Sequence, residues 1–303
     1  MPLPSDNYIL SRDTSEIDRL RVQHEDMVSC QGYYLHPSIH NSLPSSNPCI
    51  ADVCTGSAIW LSEVASALPE SSCHGFDISP KMFPSESQRP DNMQLHTADI
   101  REPFEERWIG YFDVVHVRLI EAAMKKETWA PVLRNLVTLL KPGGWIQWVE
   151  DDRPVSVRHA ARPVAPLGAA KESLAGKGKF VPPQSSYLDR FNRLLMDNAR
   201  SDDMMYGYMN LDTLMQDPKI CGLEHVSCDI YVIDRDDDGG ELRRRWAAMG
   251  IAAVWSMKQS LEANGEKLAD ITREELAEGF AKDIEMGGHF ITRASVFTGR
   301  KKA

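Results

Sequence analysis

The chain has 303 residues, 42% of them hydrophobic and 26% charged, and its 34 lysines and arginines against 44 aspartates and glutamates leave a formal net charge of −10. That length suits one large α/β domain with decoration, or two small domains, and the acidic balance argues against nucleic acid as the main partner, because a phosphate backbone demands clustered Lys and Arg. No run reaches the roughly 18 apolar residues of a membrane span, MPLPSDNYIL lacks the basic-then-apolar pattern of a secretory leader, and the six cysteines contain no C-x-x-C pair, so the expectation is a reduced, cytoplasmic protein with no membrane contact and no bound metal.

Residues 1–47 begin polar and then carry an amphipathic helix. Asp13 with Glu16 three residues on forms a capping-box pattern, and Ile17, Leu20, His24, Met27 and Val28 share one face. HPSIHNSLPSSNP then breaks regular structure with prolines, serines and asparagines. From residue 49 strands and helices alternate. CIADV is the first strand and IWLSEVASAL the helix after it; CHGFDIS, MQLHTADI and YFDVVHVRLI are the second, third and fourth strands. ETWAPVLRNLVTLL is a helix stopped by Lys141-Pro142-Gly143-Gly144, and WIQWVE is the fifth strand. Short apolar strands between helical patterns predict a parallel sheet covered on both faces.

Residues 151–186 are rich in Ala, Pro, Gly and Lys, a composition that buries little and reads as a mobile surface segment. YLDRFNRLLMDNA is an amphipathic helix, followed by a Met-rich stretch to Met215. The core pattern resumes with LEHVSCDIYVI, helices from about Glu241 and about Thr272, and a last strand HFITRASVFTG. The predicted organisation is an N-terminal helical lid over 1–47, a core of 48–150 and 216–303, and an inserted cap over 151–215. Asp234-x-Asp236-x-Asp238-Gly239 begins like an EF-hand loop, but Arg245 stands where the closing Glu is needed, so it reads as a solvated turn.

A parallel sheet binds ligands at the carboxyl ends of its strands, which directs attention to IADVCTGSAIW at 50–60. Aligned on Gly56, a dinucleotide-type G-x-G-x-x-G falls on Cys54, Gly56 and Ile59. Ile59 is a poor fit where close helix–strand packing needs glycine, which argues against NAD or FAD. No G-x-x-x-x-G-K-[ST] occurs, so a P-loop is excluded. Asp52-x-Cys54-x-Gly56-x-Ala58 instead fits D-x-G-x-G-x-G, with small residues at two of its glycine positions.

That spacing resembles motif I of the class I S-adenosylmethionine-dependent methyltransferases. YFDVVHVRLI, LLKPGGWIQWVE and HFITRASVFTGRK are similar to the family's fourth strand, its glycine turn with strand five, and its last strand. The resemblance implies an α/β fold with a Rossmann-like, seven-stranded, mostly parallel sheet whose last strand is antiparallel. It implies S-adenosylmethionine as cofactor and S-adenosylhomocysteine as product. Asp52, Cys54, Thr55 and Gly56 would then line the cofactor loop, Asp77 would meet the ribose hydroxyls, Asp99 the adenine amino group, and Ile78 and Ile100 the faces of the ring. YILSRDTSEIDRLRVQHE, VHVRLI and IQWVE also look like fungal secondary-metabolite methyltransferase-like proteins, in which an N-terminal helix and an inserted cap close over the cofactor. That likeness implies that Tyr8, Arg12 and His24 face the pocket.

Methyl transfer from a sulfonium is an in-line displacement, helped mainly by alignment and exclusion of water. A base is needed only if the acceptor arrives protonated. His116 and Glu150, at the ends of strands four and five, and His24 are the candidates for that chemistry, and Arg118 is the candidate charge partner for the cofactor's methionine end. Each has a structural alternative: packing for the histidines, acceptance of backbone amides for Glu150, a surface ion pair for Arg118, turn capping for the aspartates. Methionines and aromatics of the cap, among them Met196, Met204 and Tyr187, suit an irregular apolar substrate. The expected function is methyl transfer to O, N or S of an apolar small metabolite, by a monomer or homodimer. Two alternatives stand beside it: a cyclase of the same fold that keeps S-adenosylmethionine bound without transferring its methyl, and a non-catalytic regulatory protein.

Overall fold

The computed structural model describes residues 14–151, 156–158, 201–233, 241–263, 272–285 and 289–303. Tyr8, Arg12, Asp13, the Ala/Pro/Gly-rich segment after residue 158, the expected helix at 187–199 and the Asp234–Gly239 run lie outside the described residues. The chain divides into two compact units: Met1–Asp151, Asp202–Tyr231 and Ala294–Ala303 form the first, Asp152–Ser201 and Val232–Arg293 the second.

In chain order the described elements are α1 (Thr14–Gln31), α2 (Pro37–His40), β1 (Cys49–Val53), α3 (Ile59–Ala67), β2 (Ser72–Asp77), β3 (Met93–Thr97), β4 (Phe112–Arg118), α4 (Trp129–Thr138), β5 (Leu140–Asp151), β6 (Ser156–Arg158), α5 (Ser201–Gln216), β7 (Glu224–Ile233), α6 (Glu241–Ala263), α7 (Arg273–Glu285) and β8 (His289–Arg300). The strands follow the order β3-β2-β1-β4-β5-β8-β6, with β7 also paired to β8. β1 to β5 are parallel throughout, and β8 runs antiparallel to β5. All seven expected strands are present, and the three-residue β6 adds an eighth.

The first unit is covered on both faces because its strands are apolar at successive positions. Ile50, Cys73 and Val114 point to one side and pack with Trp60, Leu61 and Val64 of α3. Ala51, Val53, Phe76, Val115 and Val117 point to the other and pack with Trp129, Leu133 and Leu136 of α4. Side chains alternate across a strand, so one residue of offset decides which helix layer each meets. Helix α5 adds Leu211 and Met215 to this second cluster. The Lys141–Gly144 run is not simply a helix stop. It lies inside β5 as a bulge, shifting the register between Phe112↔Leu140 and Val114↔Trp145. A Cβ on Gly144 would stand 3.0–3.2 Å from three carbonyl oxygens, so glycine is what lets the bulge close.

In the second unit α6 and α7 pack together, and β6 pairs antiparallel with the first part of β8. Thr272 caps α7 by a reciprocal box: its hydroxyl accepts the Glu275 N–H at 3.1 Å, and the Glu275 carboxylate accepts the Thr272 N–H at 2.8 Å. No helix among the described residues is long and apolar enough to cross a membrane.

Candidate cofactor site

Between β1 and α3 the backbone turns through three left-handed residues in alternation: Cys54 (φ 58°), Gly56 (φ 55°) and Ala58 (φ 57°). They are the three glycine positions of the D-x-G-x-G-x-G spacing, which explains that motif physically. A Cβ at left-handed φ costs about 1–2 kcal/mol, and this chain accepts that cost at two of the three. The turn is braced by Thr55 N–H to Phe76 O at 3.0 Å and Ala58 N–H to Thr55 O at 2.8 Å.

Asp77, at the end of β2, sits against this loop. One carboxylate oxygen accepts the Gly56 N–H at 2.9 Å and the other the Ser79 N–H at 3.0 Å. A carboxylate oxygen can accept more than one hydrogen bond, so a diol can share Asp77 with these amides. Asp99, after β3, holds Arg101 through both oxygens, at 2.8 and 2.6 Å. Burial works to raise its carboxyl, but the hydrogen bonds and charge of Arg101 outweigh it and hold Asp99 below the usual carboxylate range. Ile78 is partly exposed, whereas Ile100 is packed with Phe104 and Trp108 in the core.

Asp52 and His116 are cross-strand neighbours. His116 Nδ1 lies 2.7 Å from one Asp52 oxygen, and the Thr55 hydroxyl donates to the other at 2.5 Å. The His116 ring is 1% exposed and stacks on Trp60 with centroids 3.6 Å apart. Burial lowers its pKa despite Asp52, so it is neutral at pH 7. The pair, with Thr55 on the second Asp52 oxygen and Trp60 against the His116 ring, straps β1, β4 and α3 together.

Two positions further along β4, on the same face, Arg118 Nη1 lies 2.8 Å from His24 Nδ1 of α1, and His24 Nε2 lies 2.6 Å from Glu63 of α3. Burial lowers the pKa of His24, and the Arg118 charge lowers it further.

Glu150 ends β5 fully buried. One oxygen accepts the Ile120 N–H at 3.2 Å and the Trp148 indole N–H at 2.8 Å. Burial, then the charge of the neighbouring Glu121 and a hydrogen bond shared with it, push the Glu150 carboxyl well above its ordinary range.

Four of these acidic groups act on Cys54. Burial raises its thiol, and Asp77, Asp52, Asp99 and Glu150 all add to the shift, in that order. Sequence reasoning missed Trp60, Glu63 and Glu121. Their partners are far off in the chain, His116 for Trp60, His24 for Glu63 and Glu150 for Glu121, so no local spacing announces them.

A doubly covered parallel sheet, an antiparallel β8 beside β5 and an acid-bound left-handed loop after β1 define the class I S-adenosylmethionine-dependent methyltransferases. A methyltransferase domain model matches residues 50–144, from β1 to the β5 bulge. Over 297 residues the chain is 31% identical to the methyltransferase grgD of a Penicillium species, covering 93% of this chain and 92% of that protein. It is 38% identical over 144 residues to the N-methyltransferase verN of Clonostachys rogersoniana, covering 47% of this chain and 50% of that protein. The chain thus spans about half the length of that N-methyltransferase. Among solved structures, the YcgJ protein of Bacillus subtilis is 13% identical with a TM-score of 0.47, over 88% of this chain and 97% of that one. The chain belongs to the methyltransferase family that includes grgD.

Proposed function

We propose that this protein moves the methyl group of S-adenosylmethionine to a nitrogen of a small apolar metabolite. Bound at the β1–α3 loop, the cofactor's sulfonium supplies an activated methyl for in-line displacement. The residues present fit that group. Asp77 would receive the ribose hydroxyls, Asp99 would meet the adenine amino group, and Arg118 would receive the methionine carboxylate. The Asp77 and Asp52 carboxylates beside the loop favour a cationic sulfur. Asp52 and His116 hold the frame of the loop and Glu150 supports the β4 exit. Nitrogen is preferred over oxygen or sulfur because relatives such as verN are named N-methyltransferases.

The observation that carries this reading is the Cys54–Gly56–Ala58 left-handed alternation, with Asp77 hydrogen-bonded to its centre. Titration calorimetry with S-adenosylhomocysteine tests it. Asp77→Ala weakens binding by about tenfold or more, the worth of hydrogen bonds to a charged acceptor, whereas His116→Ala weakens it less. Equal losses, or a larger loss in His116→Ala, contradict the assignment. Product mass tests the chemistry: transfer adds one methyl and yields equimolar S-adenosylhomocysteine, whereas an isomerised product with intact cofactor means cyclisation.

A further inference from the structure

A guanidinium has no acceptor and stays charged in proteins, so Arg118 can only donate to His24 Nδ1. The proton of neutral His24 is therefore on Nε2, and it is donated to Glu63 at 2.6 Å. His24 is completely buried, while the Glu63 side chain is 38% exposed. Tyr34 stacks beside the His24 ring at 6.4 Å, with its hydroxyl also toward Glu63. The tautomer of His24 is thus fixed from both ends by groups on α3 and β4.

Arg118 itself is only partly buried, and among the described residues its hydrogen bonding is to His24 alone, with no carboxylate at ion-pair distance. The rest of its planar fork is left for an anion. His24 belongs to α1, and α1 lies over the cofactor loop: Leu20, one turn earlier, comes within 3.8 Å of where a Cβ on Gly56 would stand.

We propose that His24 and Glu63 are positioning residues which aim Arg118 at the carboxylate of the cofactor's amino-acid arm, so that this arm is held only when α1 is seated on the loop. The inference rests on the reading of Arg118 as the carboxylate receptor. It makes α1 part of the cofactor site, acting through Arg118 without touching the ligand.

Two probes separate the arm from the rest of the ligand. S-adenosylhomocysteine carries the carboxylate; methylthioadenosine keeps the adenosine and the sulfur but lacks it. Calorimetry with both gives an affinity ratio for each variant, with melting curves to confirm the fold. Arg118→Met lowers the ratio about tenfold, the worth of a charge-assisted pair. His24→Phe keeps the ring volume but removes the acceptor and lowers the ratio by about threefold or more, as does Glu63→Leu at its half-exposed position. His24→Asn is smaller but places an oxygen near the Nδ1 position, and it retains more of the ratio than His24→Phe. Asp77→Ala weakens both ligands together and leaves the ratio unchanged.

An unchanged ratio in Arg118→Met overturns the carboxylate reading itself. A ratio that falls in Arg118→Met but holds in folded His24→Phe and Glu63→Leu overturns the positioning role alone. The positioning role also fails if His24→Phe preserves the ratio and His24→Asn does not, since that pattern belongs to packing.

Discussion

Left-handed backbone at single residues is where this chain's chemistry is most constrained. Gly56 has φ 55°, yet a Cβ there would meet only Met82 and Leu20 at 3.7 and 3.8 Å, ordinary contact distances. Gly56→Ala therefore costs backbone strain and little else, about 1–2 kcal/mol, seen as a lower Tm in a folded protein. Gly75 is the opposite case. Its backbone is ordinary, but a Cβ would stand 2.5 Å from Leu95 and 3.0 Å from Leu61. Gly75→Ala costs about 1–3 kcal/mol by overpacking, and trimming Leu95 to Ala in the same chain recovers part of it. If trimming Leu95 leaves the Gly75→Ala penalty whole, crowding is not its cause. The motif's aspartate shows how far residue types could be read. Asp52 is identifiable from spacing alone, but its duty toward His116 and Thr55 follows from strand register, because only parallel pairing sets Asp52 opposite His116.

Among the elements, α5 and the β5 bulge depend most on single glycines. Gly207 of α5 lies against the face of the Trp129 ring, too close for any Cβ. Trp129 is fully buried and stacks with Trp148 at 5.5 Å, so the ring cannot move aside. Gly207→Ala displaces α5 from Trp129 and lowers stability by more than about 3 kcal/mol, beyond the usual range for overpacking at a yielding site. A melting temperature equal to wild type would mean that α5 does not dock there. Strands β1 to β5 were legible because their apolar runs are short, local and bounded by turn residues. The bulge was not, since Lys141-Pro142-Gly143-Gly144 has the composition of a helix stop, and its second role appears only when Phe112 and Asp113 supply the carbonyls that Gly144 must pass. Helix α5 reads from composition as cap, but Leu211 and Met215 pack with the β4 and α4 side chains of the first unit.

At the scale of the whole molecule, a buried aromatic cluster adds to the loss of stability in acid. His74 Nδ1 lies 3.1 Å from His96 Nε2, and the two rings pack around Trp108 and Phe112. Burial, then the charges of His96 and Arg107, push His74 down to about 4. Unfolded, it titrates near 6.5, so between pH 6.5 and 4 the unfolded chain takes up a proton that the native state refuses. His74 therefore leaves stability unchanged above pH 6.5 and removes up to about 3 kcal/mol by pH 4. Denaturant unfolding across that window gives a shallower acid limb for His74→Phe than for the parent; equal limbs would place the acid sensitivity elsewhere. Nothing in the order of residues around His74 announces this cluster, since His96 and Trp108 reach it from separate loops and strands.

The central claim is that the turn from β1 into α3 is the seat of S-adenosylmethionine, and a crystal structure of the protein with S-adenosylhomocysteine tests it most directly. The account predicts density with the ribose hydroxyls on Asp77 and the amino-acid carboxylate on Arg118, with His24 still bonded to Glu63. Ligand density away from the Cys54–Ala58 turn, or a carboxylate turned from Arg118 toward solvent, would contradict it.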